Sequence, residues 1–163
     1  MKTIIHDLGK SYDIMFRNKY DNVIQANGNY AYCKGCFNCW SKYPAQCFIK
    51  DPLQMASHIV GRSDTLVIVT ENCYGSYSPS VKRVLDRGLG LTTPLSTYRA
   101  GQMHHRLRYG PKTKLIVYVY GDMTEKEQET FEYMAKKNSI NYGFQEYEFY
   151  YLASKSDIGA ISV

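Results

Sequence analysis

The sequence predicts an α/β fold, a doubly wound parallel sheet with helices on both faces. Two short runs of apolar, mostly β-branched residues, TLVIVT (65–70) and KLIVYVY (114–120), have the pattern of strands covered on both sides. Helical patterns lie between the strand patterns, and such alternation is typical of doubly wound sheets. With 163 residues and no internal repeat, the chain is expected to form a single domain spanning residues 1–163.

Three further patterns complete a predicted sheet of five strands. The segment KTIIHDL (2–8) is the predicted first strand, and DNVIQA (21–26) is the second. The segment QEYEFYYL (145–152) alternates aromatic with mostly acidic side chains, which is the pattern of a final edge strand.

Three helices are predicted from apolar stripes and capping residues. The segment DPLQMASHIVGRSD (51–64) opens with an acidic residue followed by proline, and SPSVKRVLDRGLG (78–90) opens with serine followed by proline. The segment DMTEKEQETFEYMAKKNSINYG (122–143) has Thr124 as its cap and Glu127 three residues later, the pattern of a capping box.

Composition and charge exclude several classes of function. The formal net charge is +5, and no stretch approaches the ~18–20 apolar residues of a membrane span. No N-terminal apolar run resembles a signal peptide, so we expect a cytoplasmic protein with no membrane partner. The densest basic stretch, YRAGQMHHRLRYGPKTK (98–114), has no nucleic-acid-binding module beside it, which favours a solvated face over nucleic-acid binding.

The loop after the central strand, ENCYGSYSP (71–79), is the most informative stretch for a small ligand. Ligands of doubly wound sheets bind beyond the carboxyl ends of the strands, where the strand order reverses. Gly75 and Ser76 would let the backbone approach such a ligand. Tyr74 and Tyr77 offer flat faces to a ring. Ser78 caps the next helix, whose first N–H groups attract an anion or polar ring atoms. The alternative is a plain strand–helix turn with one exposed tyrosine.

Four cysteines follow the second strand. Cys33, Cys36 and Cys39 form the pattern C-x2-C-x2-C, and Cys47 follows after seven more residues. Four thiolates at this spacing are the ligand set of a 4Fe–4S cluster or of zinc. The alternative is a loop of small packed thiols in which a pair is open to oxidation. Because disulfides rarely persist in the cytosol, the cysteines favour reduced thiols, metal chemistry or catalytic redox.

Other chemical candidates lie elsewhere in the chain. Cys73, in the loop after the central strand, is either a redox partner of a ligand there or a packing residue. His104 and His105 would contact a cofactor phosphate or donate a proton, but adjacent residues point in different directions, which favours surface or subunit-interface positions. Met103 beside them supports packing, and the segment 96–110 is either a lid or a contact with a second subunit.

The order CKGCFNCWSKYPAQCFIKD, a strand, then YGSYSPSVKRVLDR resembles the flavodoxin-like NAD(P)H-dependent flavin mononucleotide (FMN) reductase family, including its iron–sulfur flavoprotein branch. The resemblance covers residues 32–87. It implies a flavodoxin-like sheet in the order 2-1-3-4-5, a homo-oligomer, and FMN at the point where the strand order reverses. It further implies that the isoalloxazine ring is lined by Asn72, Tyr74, Gly75, Ser76 and Ser78.

The same resemblance implies roles for two other sets of residues. The four cysteines, Cys33, Cys36, Cys39 and Cys47, would hold a 4Fe–4S cluster beside the flavin. Lys82 and the pair Asp86 and Arg87 would be structural or at a subunit contact.

The chain departs from this family after its first strand. The family has a Gly-Ser-Pro-Arg-type loop around the flavin phosphate, whereas this chain reads HDLGKSYDIMFRNKYDN, with too little room for a standard first helix. Gly9, Lys10 and Ser11 would form a minimal anion site in place of that loop. The alternative is a tight turn with an exposed lysine. If flavin is bound, Arg99 or Arg106 of a second subunit is another candidate for its phosphate.

Two functional hypotheses follow. The first is an FMN-dependent oxidoreductase or electron-transfer flavoprotein, which takes electrons from NAD(P)H or a reduced protein and passes them to a small acceptor. Flavin chemistry belongs mostly to the cofactor, so no catalytic residue is assigned. The second is a flavodoxin scaffold without a working flavin site, acting as a redox-sensing, binding or assembly module.

Overall fold

The computed structural model describes residues 1–160 and contains seven strands in that part of the chain. They are β1 (Lys2–His6), β2 (Asn22–Gln25), β3 (Thr65–Glu71), β4 (Thr92–Arg99), β5 (Gln102–Leu107), β6 (Lys112–Tyr120) and β7 (Phe144–Leu152). Five of them form one sheet in the order β2-β1-β3-β6-β7, with every pair parallel. Because β4 and β5 stand apart, the sheet has the order 2-1-3-4-5 in its own strands, so the predicted fold class is confirmed.

The α-helices among residues 1–160 are α1 (Lys10–Arg17), α2 (Ala56–Arg62), α3 (Pro79–Arg87) and α4 (Glu125–Tyr142). Helices α2, α3 and α4 cover one face of the sheet, where Val84 and Phe131 pack on Ile68 and Val117. Helix α1 and the short turn Lys155–Ala160 lie on the other face. Elements thus lie on both faces of the sheet, which explains why the central residues of β3 and β6 are apolar and buried.

The capping residues act largely as the sequence predicts. The Ser78 hydroxyl accepts the Val81 N–H at the start of α3. Thr124 and Glu127 form the predicted capping box at the start of α4. Helix α2 begins at Ala56, later than predicted, because the Asp51 side chain accepts the Leu53 N–H and makes a turn instead of a cap.

The segment between β1 and β2 holds a short helix, although the sequence suggested too little room for a standard one. Helix α1 has eight residues, about two turns. Its apolar residue Phe16 is buried between the rings of His6 and Tyr20, at centroid distances of 5.1 and 5.8 Å. Phe16 buries this part of the sheet face together with Leu8, Tyr20 and Ile158.

Strands β4 and β5 form an antiparallel hairpin that the sequence analysis did not predict. Its turn uses Ala100 and Gly101, both with positive φ, as tight hairpins require. Arg99 fastens the hairpin to the end of α4 by donating to the carbonyls of Ile140 and Asn141. The segment 96–110 therefore contains a hairpin that is fastened to the end of α4.

A buried ion pair holds the segment between β2 and α2 against α3. Both terminal nitrogens of Arg87 contact the carboxylate of Asp51 at 2.8 Å, and Arg87 also donates to the Ala31 carbonyl at 2.9 Å. Burial disfavours the Asp51 carboxylate, but the hydrogen bonds from Arg87 and from backbone N–H groups hold its pKa below its ordinary value. We call residues 30–55 the cysteine segment, and this pair fixes its path.

Replacing Asp51 with alanine should therefore lower the free energy of unfolding by about 3–5 kcal/mol, because it leaves the fully buried Arg87 guanidinium without its partner. Urea denaturation measures the change. The control is Asp86→Ala, which breaks the exposed pair of Lys82 and Asp86 on the same helix and should cost less than about 1 kcal/mol. Equal losses in the two variants would contradict the anchoring role.

A second buried cation, Lys112, begins β6. Its ammonium donates to the Tyr142 carbonyl at 2.6 Å and lies 5.0 Å from the centre of the Phe144 ring. Burial, with a smaller contribution from the charge of Arg99, lowers the pKa of Lys112 to about 8.

This shift predicts a rise in stability with pH. Between pH 8 and the ordinary lysine value of 10.5, the unfolded chain holds the Lys112 proton and the folded chain does not. The free energy of unfolding should therefore increase there by up to about 1.4 kcal/mol per pH unit. Urea titrations at about pH 7.5 and about pH 9.5 measure the rise, which should be absent in Lys112→Met. A rise of the same size in both proteins would exclude Lys112 as its source.

Candidate functional site

The strand order of the main sheet reverses between β1 and β3, so the loops after these two strands face each other. The carboxylate of Asp7, directly after β1, accepts the Glu71 N–H at 2.9 Å and the Tyr120 hydroxyl at 2.9 Å. It also accepts the Thr70 hydroxyl at 3.3 Å. Burial raises the pKa of Tyr120, and the charge of Asp7 adds to the effect. One carboxylate thus joins the ends of β1, β3 and β6 into a fixed platform.

The first turn of α1 stands at this platform and is open to an anion. Gly9 is its cap residue, no side chain caps the turn, and no atom lies within 4 Å of a Cβ built at Gly9. Lys10 and Ser11 are exposed in the same turn. The ammonium of Lys155 lies 4.8 Å from the Tyr120 ring, which places a second lysine at this end of the sheet. Uncapped N–H groups with lysines beside them attract phosphate.

The β3 loop, residues 72–78, is held mostly by hydrogen bonds of its own. The Asn72 amide accepts the Gly75 N–H at 2.9 Å and donates to the Asp122 carbonyl at 2.8 Å. Cys73 and Ser76 exchange backbone hydrogen bonds, and the Ser76 hydroxyl contacts the sulfur of Met134 at 3.6 Å. These groups are therefore engaged within the protein.

Tyr74 is the part of the β3 loop that faces outward. Its side chain is 91% exposed, and its backbone has a φ of 52°. The turn of the loop thus presents a flat aromatic face to solvent at the edge where α1 begins.

Tyr77 does not have the position that the sequence analysis gave it. It is buried and packs edge-on against Phe131 with ring centres 4.9 Å apart, and its hydroxyl accepts a hydrogen bond from Asn138. Burial raises the pKa of Tyr77 to about 12. Ser78 is likewise committed to capping α3, and its N–H donates to the Thr70 hydroxyl. Neither side chain presents a free surface to a ring.

The four predicted metal ligands do line one cavity, together with Phe37 and Arg87. Cys33 and Cys36 are exposed, whereas Cys39 and Cys47 are half-buried. The cavity measures about 20 Å³, which is room for about one water molecule. Among residues 1–160, no group of three or more His, Cys, Asp or Glu side chains is arranged to hold a metal ion.

This cysteine cavity lies at the far end of α3 from the β3 loop. It is lined by Asp86, Arg87 and Leu89, whereas the β3 loop leads into the first residue of α3. A helix of nine residues is about 13 Å long. In a single chain the four cysteines therefore lie away from the β3 loop, and the Arg87–Asp51 pair holds the cysteine segment at the other end of α3.

The hairpin of β4 and β5 also lies away from the point where the strand order reverses. The His105 ring packs on Trp40 with centres 4.5 Å apart, and Nδ1 of His104 lies 3.4 Å from the side-chain oxygen of Asn141. Met103 is 65% exposed, so it does not support packing as expected. Arg99 is engaged with carbonyls of α4 and of His105, so only Arg106 is free to reach a second chain. The predicted homo-oligomer stays a prediction.

Sequence reasoning missed Asp7, Tyr120 and Lys155 as residues of the platform. Asp7 follows a strand directly, which was a usable signal for a residue at the carboxyl edge. The position of Lys155 depends on how the chain returns after β7, and nothing local in the sequence indicates that path.

Within the part of the chain that the structure describes, no helix is long and apolar enough to span a membrane. No protein-family model matches the chain, and the curated protein sequences contain no match.

Solved structures share the fold. An FMN-dependent NADH-azoreductase from Bacillus anthracis str. Ames Ancestor, in complex with FMN, is 12% identical with a TM-score of 0.51, over 96% of this chain and 91% of that one. An NAD(P)H:quinone oxidoreductase from Methanothermobacter marburgensis is 13% identical with a TM-score of 0.50, over 96% and 90%. The flavodiiron core of Flv1 from Synechocystis sp. PCC6803 is 8% identical with a TM-score of 0.44, and this chain spans 30% of it. The first two establish a flavodoxin-like fold.

The structure of the β3 loop predicts that replacing its glycine, Gly75, destabilises the protein. Gly75 has a φ of 72°, and a Cβ there would lie 3.0 Å from the Glu127 carbonyl oxygen of α4. Gly75→Ala should therefore lower the free energy of unfolding by about 1–2 kcal/mol because of the backbone conformation, and by about 1–3 kcal/mol more because of the contact. Urea denaturation measures the change. Gly101→Ala is the control, because Gly101 has a φ of 73° and open space around it. Equal costs would show that α4 does not press on the loop.

Proposed function

We propose that the chain binds FMN at its switch point and acts as a flavin-dependent oxidoreductase, with NAD(P)H or a reduced protein as electron donor. The observation that carries the proposal is the uncapped first turn of α1, with Lys10 beside it, at the same edge as the outward face of Tyr74. Two solved proteins of this fold, an azoreductase in complex with FMN and a quinone oxidoreductase, support the class of cofactor and reaction.

The residues at α1 fit a phosphate. Open space at Gly9 admits it, the N–H groups of Lys10 and Ser11 would donate to it, and Lys10 and Lys155 would offset its charge, while the Asp13 carboxylate of the same turn is paired with Arg17. Hydrogen bonds from Glu71 and Tyr120 fix the Asp7 carboxylate at the strand ends. Its negative charge would repel a phosphate from that position. The phosphate position is therefore limited to the outer side of the α1 turn.

The residues at the β3 loop fit a ring less completely. Tyr74 can stack on one face of it, but the side chains of Asn72, Ser76 and Ser78 are already hydrogen-bonded or packed within the protein. Most of the affinity should therefore come from the phosphate end. Flavin, when bound, supplies hydride and electron transfer, and the protein positions it and excludes water.

A flavin titration tests this function. FMN should bind and riboflavin, which lacks the phosphate, should bind at least about ten-fold more weakly, as fluorescence quenching measures. Lys10→Ala should weaken FMN binding by roughly three- to ten-fold without changing riboflavin binding. Tyr74→Ala should weaken both ligands, and Tyr133→Ala, another exposed tyrosine, should weaken neither. Failure to bind FMN at all would overturn the proposal.

That negative outcome would favour the second candidate, a flavodoxin scaffold that acts through its thiols. The observation behind it is that four cysteines share one cavity while the β3 loop satisfies its own polar groups. A 4Fe–4S cluster is not part of either proposal. Among residues 1–160, the cysteines are not arranged as a group that could hold a metal ion, so they do not fit a cluster.

A further inference from the structure

Cys33 stands between two spaces. It lines the small cysteine cavity, and it also lines an open groove of about 400 Å³ between α3 and α4. We call the second space the α3–α4 groove. Its volume is in the range of small-molecule sites. An exposed sulfur that borders both spaces can meet a molecule in the groove and a thiol in the cavity.

The inner thiol is that of Cys39. Its carbonyl accepts the Ala45 N–H at 2.9 Å, and a Cβ built at Gly90 would lie 3.0 Å from its own Cβ, so its backbone is firmly placed. Burial raises the pKa of Cys39, and the neighbouring thiols add to this, with Cys33 contributing more than Cys47 or Cys36. Cys33 and Cys39 line the same small cavity, and Cys33 is the one of the four cysteines that also borders the α3–α4 groove, so the exposed Cys33 is paired with the half-buried Cys39.

We propose that Cys33 and Cys39 form a thiol–disulfide exchange pair that reduces disulfides presented in the α3–α4 groove. The Cys33 thiolate attacks one sulfur of the substrate, forms a mixed disulfide and releases the other sulfur as a thiolate. The Cys39 thiolate then attacks the Cys33 sulfur, forms the Cys33–Cys39 disulfide and releases the rest of the substrate. Two electrons pass from the cysteine pair to the substrate disulfide, and the two thiol protons go to the released thiolates.

The groove indicates the class of disulfide. Besides Cys33 it is lined by the amide side chains of Asn138 and Asn141 and by the charged pair of Lys82 and Asp86. Amides donate to and accept from peptide groups, and the paired charges suit a molecule with both an amine and a carboxylate. The substrate class is therefore a disulfide flanked by peptide groups.

This activity does not rest on the proposed flavin site. The cysteine cavity and the β3 loop lie at opposite ends of α3, so the exchange can be assayed without flavin and FMN binding can be measured without substrate disulfide. Failure of one leaves the other standing.

Glutathione disulfide is the probe. The reduced chain should convert each glutathione disulfide into two molecules of reduced glutathione. Peptide mapping by mass spectrometry should then locate a disulfide between Cys33 and Cys39. The Cys39→Ser variant should stop at a stable glutathione adduct on Cys33. The Cys33→Ser variant should no longer release reduced glutathione. Cys73→Ser, in the β3 loop, is the matched control and should behave as the unaltered chain.

Three results would overturn the proposal: adducts spread evenly over the cysteines, a disulfide that excludes Cys33, or unchanged release in Cys33→Ser. The groove is tested separately with 2-hydroxyethyl disulfide, which has no peptide groups. It should react about five- to ten-fold more slowly than glutathione disulfide, the value of about one hydrogen bond. Equal rates would remove the groove from the proposal.

Discussion

The buried pair of Arg87 and Asp51 decides where the cysteine segment lies relative to the β3 loop. Arg87 lies at the end of α3, and Asp51 lies near the end of a long segment with little regular structure. Breaking such a pair leaves a buried charge, so the segment has one strongly favoured path along the helix. The bond from Arg87 to the Ala31 carbonyl holds the start of that segment in the same place. Both ends of the cysteine segment are thus fixed by one side chain.

This arrangement separates the chemistry of the chain into two sites. The edge of the sheet carries an anion-attracting helix start and an exposed tyrosine, organised by Asp7. The far end of α3 carries the four thiols of the cysteine cavity, and the Trp40 indole N–H donates to the Leu89 carbonyl there. Within residues 1–160, the four thiols of the cysteine cavity lie away from the sheet edge, and the cavity borders the α3–α4 groove through Cys33.

Local patterns predicted most of the fold. The runs around Val67 and Ile116 are apolar because both faces of β3 and β6 are covered, and Thr124 with Glu127 marks the start of α4 without any tertiary information. The hairpin was missed because its strands are polar, contain Pro94 and are stabilised by contacts of Arg99 with α4, which no local pattern shows. The role of Tyr77 was misassigned for a similar reason, since a tyrosine in a loop gives no sign of the phenylalanine it will pack against.

The sequence by itself determined the layered α/β architecture, the strand order through its resemblance to a known family, and the residue types at the sheet edge. The architecture follows from periodicity and capping, which act between residues close in the chain, whereas the strand order came from the resemblance alone. Only the tertiary structure decided that Tyr77 is buried, that Tyr74 faces outward, and that the four cysteines share a cavity remote from the β3 loop. Those outcomes depend on contacts such as Arg87 with Asp51, between residues 36 positions apart, whose pairing is set by burial and charge in the folded chain.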